Sequence, residues 1–279
     1  MKLLKNTTKV WFFLIGVSLV LMFGGYQIGQ RLGLFIGLLL AILFHSLLFF
    51  FGENQLLKSM KARPLEGQDP WGLLDLVRHY TDQLSMAPPA LFLMDHRGAT
   101  AFSFMTNTGK GAICLSTGLL QKLRPEEIEA IVAHQVSHVH RLDTFGFGLS
   151  HLVAHAIIGF GNILDHMWPP NVIARQINHH PFLNLLSPLA WLILRIAISE
   201  KVFFETDDLA ITLLKDRRTL AEAIWKLDGL SQAIPLRIPP VTAHFFIVNP
   251  QGPTVKNWLL LTHPNIENRI KRLIGYFPI

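Results

Sequence analysis

Two histidines four positions apart, His134 and His138, stand inside a stretch whose apolar residues (Ile128, Ile131, Val132) recur with helical spacing. Residues i and i+4 of an α-helix differ by about 40° in azimuth and lie one turn apart, so their imidazoles can meet a single metal ion. In the H-E-x-x-H pattern of zinc-assisted hydrolysis, the intervening glutamate takes a proton from the metal-bound water. Here that position is Gln135, whose carboxamide can hydrogen-bond a water but cannot accept its proton at neutral pH. Other histidines carry less chemistry. His151 and His155 repeat the spacing inside an apolar segment, where packing or hydrogen bonding between membrane helices is their expected role. His179-His180 falls in a polar, proline-rich connection and is expected to be solvated. The single Cys114 permits neither an internal disulfide nor a cysteine-based metal cluster.

The elements that must position these residues sit in an unusually apolar chain. Of 279 residues, 50% are hydrophobic and only 16% charged, against roughly 25% charged in a soluble domain. Disorder is excluded and an ordinary cytosolic enzyme is disfavoured. Lys+Arg outnumber Asp+Glu 25 to 19, but the cations Lys2, Lys5, Lys9, Lys58, Lys61 and Arg63 flank apolar segments. That placement speaks for membrane topology and for no nucleic-acid partner. Val10–Ile28 and Leu32–Phe51 are uncharged throughout, and about 20 apolar residues span a bilayer as a helix. With Arg31 alone between them, residues 1–52 are expected to form a transmembrane hairpin with both outer ends in the cytoplasm. Residues 53–279 form the second unit, which includes two further apolar segments at about 144–164 and 181–198.

Within that unit the periodicity predicts a helix over Trp71–Leu84 and strands at Ala90–Met94 and Ala112–Ser116. A helix should start at Arg124-Pro125-Glu126-Glu127, with proline in the first turn and acids where the helix dipole favours them, and run past His138. The chain is polar and helical from Lys201 to about Leu230, has a strand candidate at Phe245–Val248, and ends in a basic helix from Asn265.

In combination, Gly118-Leu119-Leu120, Leu123-Arg124-Pro125-Glu126-Glu127-Ile128, Ala133-His134 through Asp143, and Thr262-His263-Pro264 followed by Arg269 resemble the HtpX-type membrane zinc metallopeptidases and their CAAX-protease relatives. The resemblance implies transmembrane helices joined to a mainly α, zincin-like metallopeptidase domain with a small β-sheet. It implies zinc on His134 and His138, an outer-shell role for Asp143, and a substrate- or oxyanion-binding role for His263 and Arg269. Two departures fall on the chemistry. One is Gln135 at the general-base position. The other is Phe203, which takes the family's third-ligand glutamate position when Asp207 and Leu209-Ala210 are set in register. Moving the frame to recruit Glu205 would turn that carboxylate about 200° around the helix. Glu200 and Asp207 share the Phe203 face, so either could complete a metal shell. The family counterpart of Asp207 is instead an outer-shell partner of a ligating histidine.

The expectation is therefore a multi-pass protein of the inner (cytoplasmic) membrane with its soluble domain in the cytoplasm. It carries a peptidase-shaped cleft that binds membrane-protein segments or a partner without efficient cleavage, in effect a pseudoprotease. Any zinc is held weakly or not at all. An active zinc endopeptidase of membrane-protein quality control and a structural membrane scaffold are the alternatives.

Overall fold

The computed structural model describes residues 6–105, 111–141, 153–154, 157–159, 161, 164–166, 181–197, 200–238, 240–252 and 263–276. Its first element, α1 (Asn6–Ser59), is two helices joined through non-helical Gly29 (φ −133°, ψ 22°) and Gln30 (φ 49°, ψ −127°). The break precedes the expected Arg31 and falls beside a glycine, which tolerates the turn. The two halves then run back along each other. A Cβ placed on Gly25 would lie 2.1 Å from the Gly33 carbonyl oxygen, and one on Gly37 would lie 2.4 Å from that of Leu21. Buried Gly33, Gly37 and Ala41 recur every fourth residue, so one face of the second half is small enough for backbones to touch. Leu19, Val20, Phe23 and Leu32 point outward and are 60–70% exposed. The stretch Leu14–Ser46, which contains this break, is apolar enough by length and composition for a membrane.

The sheet has the order β1-β2-β4-β3, with β1 (Ala62–Pro64), β2 (Ala90–Met94), β3 (Ala101–Met105) and β4 (Gly111–Ser116). β2 and β4 are parallel, and β1 and β3 pair antiparallel on either side of them. After α2 (Leu73–Gln83) and the short α3 (Thr117–Lys122) comes α4 (Pro125–His140). Further along, the described residues include α5 (Pro181–Ala197), α6 (Glu200–Leu214), α7 (Arg217–Ala233) and α8 (Ile266–Ile274). The start of α4 is fixed by Glu127, which accepts from the Arg124 amide at 2.7 Å and from Lys226 Nζ at 2.8 Å. From Glu127 to Val139 nearly every α4 side chain is buried, because α2, β3, α6 and α7 surround it. Asp165 caps α5 by accepting from the Phe182 and Leu183 amides at 2.8 and 3.0 Å.

Two expectations are revised. The helical stretch 201–230 is two helices, because Lys215 adopts φ 59° and Asp216 caps a new helix by accepting from the Arg218 and Thr219 amides. The strand candidate 245–248 is a 3₁₀ turn (Pro240–Phe245) followed by a single bridge from Phe246 to Phe102 on the outer edge of β3. Leu236 N donates to Pro250 O, tying the two ends of this excursion together, so the segment meets β3 over one bridge rather than running along it. Strands β1 and β3 lacked an isolated signal and form by pairing. The apolar segment 144–164 lies mainly outside the described residues.

Replacing Gly37 by Leu is expected to lower the thermal midpoint of the detergent-solubilised chain, since overpacking costs about 1–3 kcal/mol. Gly16→Leu, with nothing within 4 Å, should leave it unchanged. Asp216→Ala should cost about 1 kcal/mol in a denaturation series. The Thr219 hydroxyl and amide hold the Asp216 carboxyl below its ordinary value. Its contribution is therefore full above the unfolded aspartate pKa of about 3.9 and lost as pH falls through the lower folded value.

Candidate functional site

Four elements converge on one buried point. α4 presents His134, Gln135 and His138, each no more than 5% exposed. β3 contributes Ser103, whose Oγ lies 2.6 Å from His138 Nδ1. α6 brings Phe203 and, one turn later, Asp207, whose Oδ1 is 3.1 Å from His134 Nε2. α8 supplies Arg269, 2% exposed. Arg269 Nε and Nη2 donate to Asp207 Oδ2 and Oδ1 at 2.7 and 2.6 Å, and Nη1 donates to the Ile247 carbonyl at 2.6 Å. Nη2 also lies 2.9 Å from His134 Nε2. His263, just before α8, donates through Nε2 to the Phe246 carbonyl at 2.9 Å, and its ring lies 5.0 Å from that of Phe203. The Phe203 ring in turn faces the Arg269 guanidinium at 5.8 Å, within cation–π range.

Burial dominates the electrostatics. It lowers the pKa of His134 despite the opposing Asp207 carboxylate, and it holds that of His138 well below its ordinary value, with His134, Arg141 and Arg269 adding to the effect. Burial alone would raise the Asp207 carboxyl, but Arg269 and His134 outweigh it and hold the group below its ordinary value. Burial brings His263 down to about 4. At neutral pH the site thus holds neutral imidazoles around one guanidinium–carboxylate pair.

The donor set does not fit a catalytic zinc. Such sites offer three protein ligands and an open position, and among the described residues no three His, Cys, Asp or Glu side chains are placed to hold an ion. Phe203 has no donor atom. Both Asp207 oxygens accept from Arg269. His134 Nε2 faces Arg269 and Asp207 together. In one tautomer its lone pair accepts from the guanidinium, and in the other it carries a proton toward the carboxylate. In neither does Nε2 offer a free lone pair to a metal.

The remaining sequence candidates separate. Glu200 is half-buried at the start of α6. Glu205 pairs with Arg141 and, at 3.4 Å, with Lys201; these cations hold its carboxyl below the ordinary value against the opposing effect of burial. Asp143, His151, His155, His179, His180 and Thr262 lie outside the described residues. Ser103 and the Ile247 carbonyl belong to the site but carried no local signal, because only the pairing of β3 and the return of residues 246–247 bring them there. Three buried atoms of the site, His134 Nδ1, Gln135 Oε1 and His263 Nδ1, find no hydrogen-bond partner among the described residues.

The profile of peptidase family M48 matches residues 75–276, which include every side chain of this site. The chain belongs to peptidase family M48. M48 peptidases are zinc metalloproteases. A protease HtpX homologue from Pelotomaculum thermopropionicum is 27% identical over 277 residues, covering 96% of this chain and 98% of the relative. Another, from Sulfurovum sp., is 28% identical over 268 residues, covering 95% and 97%. The fold is also that of a crystal structure of S. mikatae Ste24p, with a TM-score of 0.51 at 15% identity. That match covers 96% of this chain but 65% of the other, so this chain spans less than two thirds of the Ste24p chain.

Within this M48 framework Ser103→Ala removes the partner of His138 Nδ1. It should cost about 1–3 kcal/mol, measured by chemical denaturation.

Proposed function

We propose that this M48 homologue is a catalytically impaired, membrane-embedded protein that binds segments of membrane proteins, or a partner, through the peptidase-shaped site. The observation that carries the reading is the Arg269–Asp207–His134 cluster beside Phe203 and Gln135. No described carboxylate of the site is free to deprotonate a water, and removing a general base alone typically costs about 10²–10⁴ in rate. The buried atoms without partners support binding, since each can pair with a peptide N–H or C=O that enters the site. The α1 hairpin and the apolar segments 144–164 and 181–198 support a multi-pass arrangement in the inner membrane. The cations flanking the hairpin support a cytoplasmic site.

A second reading, an active zinc endopeptidase of membrane-protein quality control, is favoured by family membership. Cleavage of casein and of an unfolded membrane protein separates the two. The unmodified chain and Gln135→Glu are expected to leave both intact, with cleavage gained only when Gln135→Glu is combined with Phe203→Glu. Chelator-sensitive cleavage by the unmodified chain would overturn the proposal. In fluorescence anisotropy, a labelled apolar transmembrane peptide is expected to bind the intact chain and to bind several-fold more weakly after Gln135→Ala.

A further inference from the structure

The departures at positions 135 and 203 and the closure around Arg269 form one set when charge is counted. By the resemblance drawn from the sequence, a zinc-bearing relative has a glutamate at each of those two positions, an aspartate at 207 and an arginine at 269. Three carboxylates then offset a dication and a guanidinium, and the buried site is neutral. Here Gln135 and Phe203 remove two negative charges, leaving Asp207 against Arg269. That pair is neutral without a metal, and a dication would leave the same site, 1–2% exposed at Asp207 and Arg269, with an unbalanced charge of two. Uncompensated buried charge is strongly disfavoured.

The geometry agrees with the count. Arg269 places donors on both Asp207 oxygens, on the Ile247 carbonyl and against His134 Nε2. Phe203 offers the guanidinium an aromatic face where a glutamate would offer a metal an oxygen. We infer that Arg269 is this site's resident cation: it balances Asp207 and joins α4, α6, α8 and the 246–247 segment, so that the domain folds and holds its shape with no metal. The inference rests on reading the site as catalytically impaired and adds what holds it in place of zinc.

Metal content and thermal midpoint of the purified full-length chain in detergent test it. After incubation with zinc and removal of the excess, the chain is expected to retain well under one zinc, and neither chelator nor added zinc should move its midpoint. Arg269→Gln leaves Asp207 buried and uncompensated and should lower the midpoint by roughly 6–15 °C. Adding Asp207→Asn restores neutrality with near-isosteric groups and should recover a large part of that loss, which a role in packing alone would not produce. If Arg269→Gln does not fold, the double variant is still expected to fold. About one zinc per chain, lost in His134→Ala, would overturn the inference, as would a double variant no more stable than Arg269→Gln. The outcomes stay separate from those for function. A chain that holds zinc yet cleaves nothing ends this inference and leaves the functional reading. A zinc-free chain that captures no segment does the reverse.

Discussion

A guanidinium and a carboxylate removed from water must satisfy each other, and the rest of the M48 domain is arranged around that requirement. Arg269 and Asp207 lie on helices far apart in sequence and meet with two N–H···O contacts at 2.6 and 2.7 Å. Taking two such charges out of water costs several kcal/mol each, returned only when geometry and further hydrogen bonds are good. The further bonds are what tie the structure together. The contact to Ile247 anchors the segment that bridges the outer edge of β3, and the contact to His134 reaches α4. A small displacement of α6 or α8 would break several of these at once. The pair is therefore a device for specifying one arrangement of three helices more than a reservoir of stability.

α4 is the platform on which this works. It is buried along most of its length, so its side chains cannot turn to water. Its start is held by the Glu127 carboxylate, which accepts from the Arg124 amide and from Lys226. His138 is fixed from the sheet by Ser103, and His134 from the two helices carrying Asp207 and Arg269. Both imidazoles are thus oriented by protein groups, as metal-ligating histidines are. What differs is the side chain beside them. An apolar ring at position 203 gives the site an aromatic surface, and the Arg269 guanidinium faces it. The recess that remains is lined by oriented imidazoles, the Gln135 amide and this aromatic face.

The hairpin obeys a different constraint. Apolar association in lipid gains little from burying hydrocarbon, so close packing must supply the contact. Gly25, Gly33 and Gly37 let the two halves approach until a Cβ would collide with opposing backbone. The bulky residues are left facing outward, where in water they would be a liability.

Helical and strand periods, the proline and acids opening α4, the uncharged runs near the N-terminus and the identities at 134, 135, 138 and 203 all act locally. Each was legible because its physics is complete within a few residues. Helix boundaries shifted by a residue or two, and the break at Lys215–Asp216 was hidden because both flanking stretches share one helical period. β3, Ser103 and the Ile247 carbonyl could not be read, since a strand pairs only if its neighbour is there to pair with. The sequence by itself determined that the site would hold imidazoles at 134, 138 and 263, an amide at 135 where a base would stand, a carboxylate at 207 and no oxygen at position 203. Only the tertiary structure decided that Arg269 would claim both oxygens of Asp207 and face the one His134 nitrogen turned toward them. That choice depends on how closely three helices, separated by long stretches of chain, come together in a place where water cannot compete.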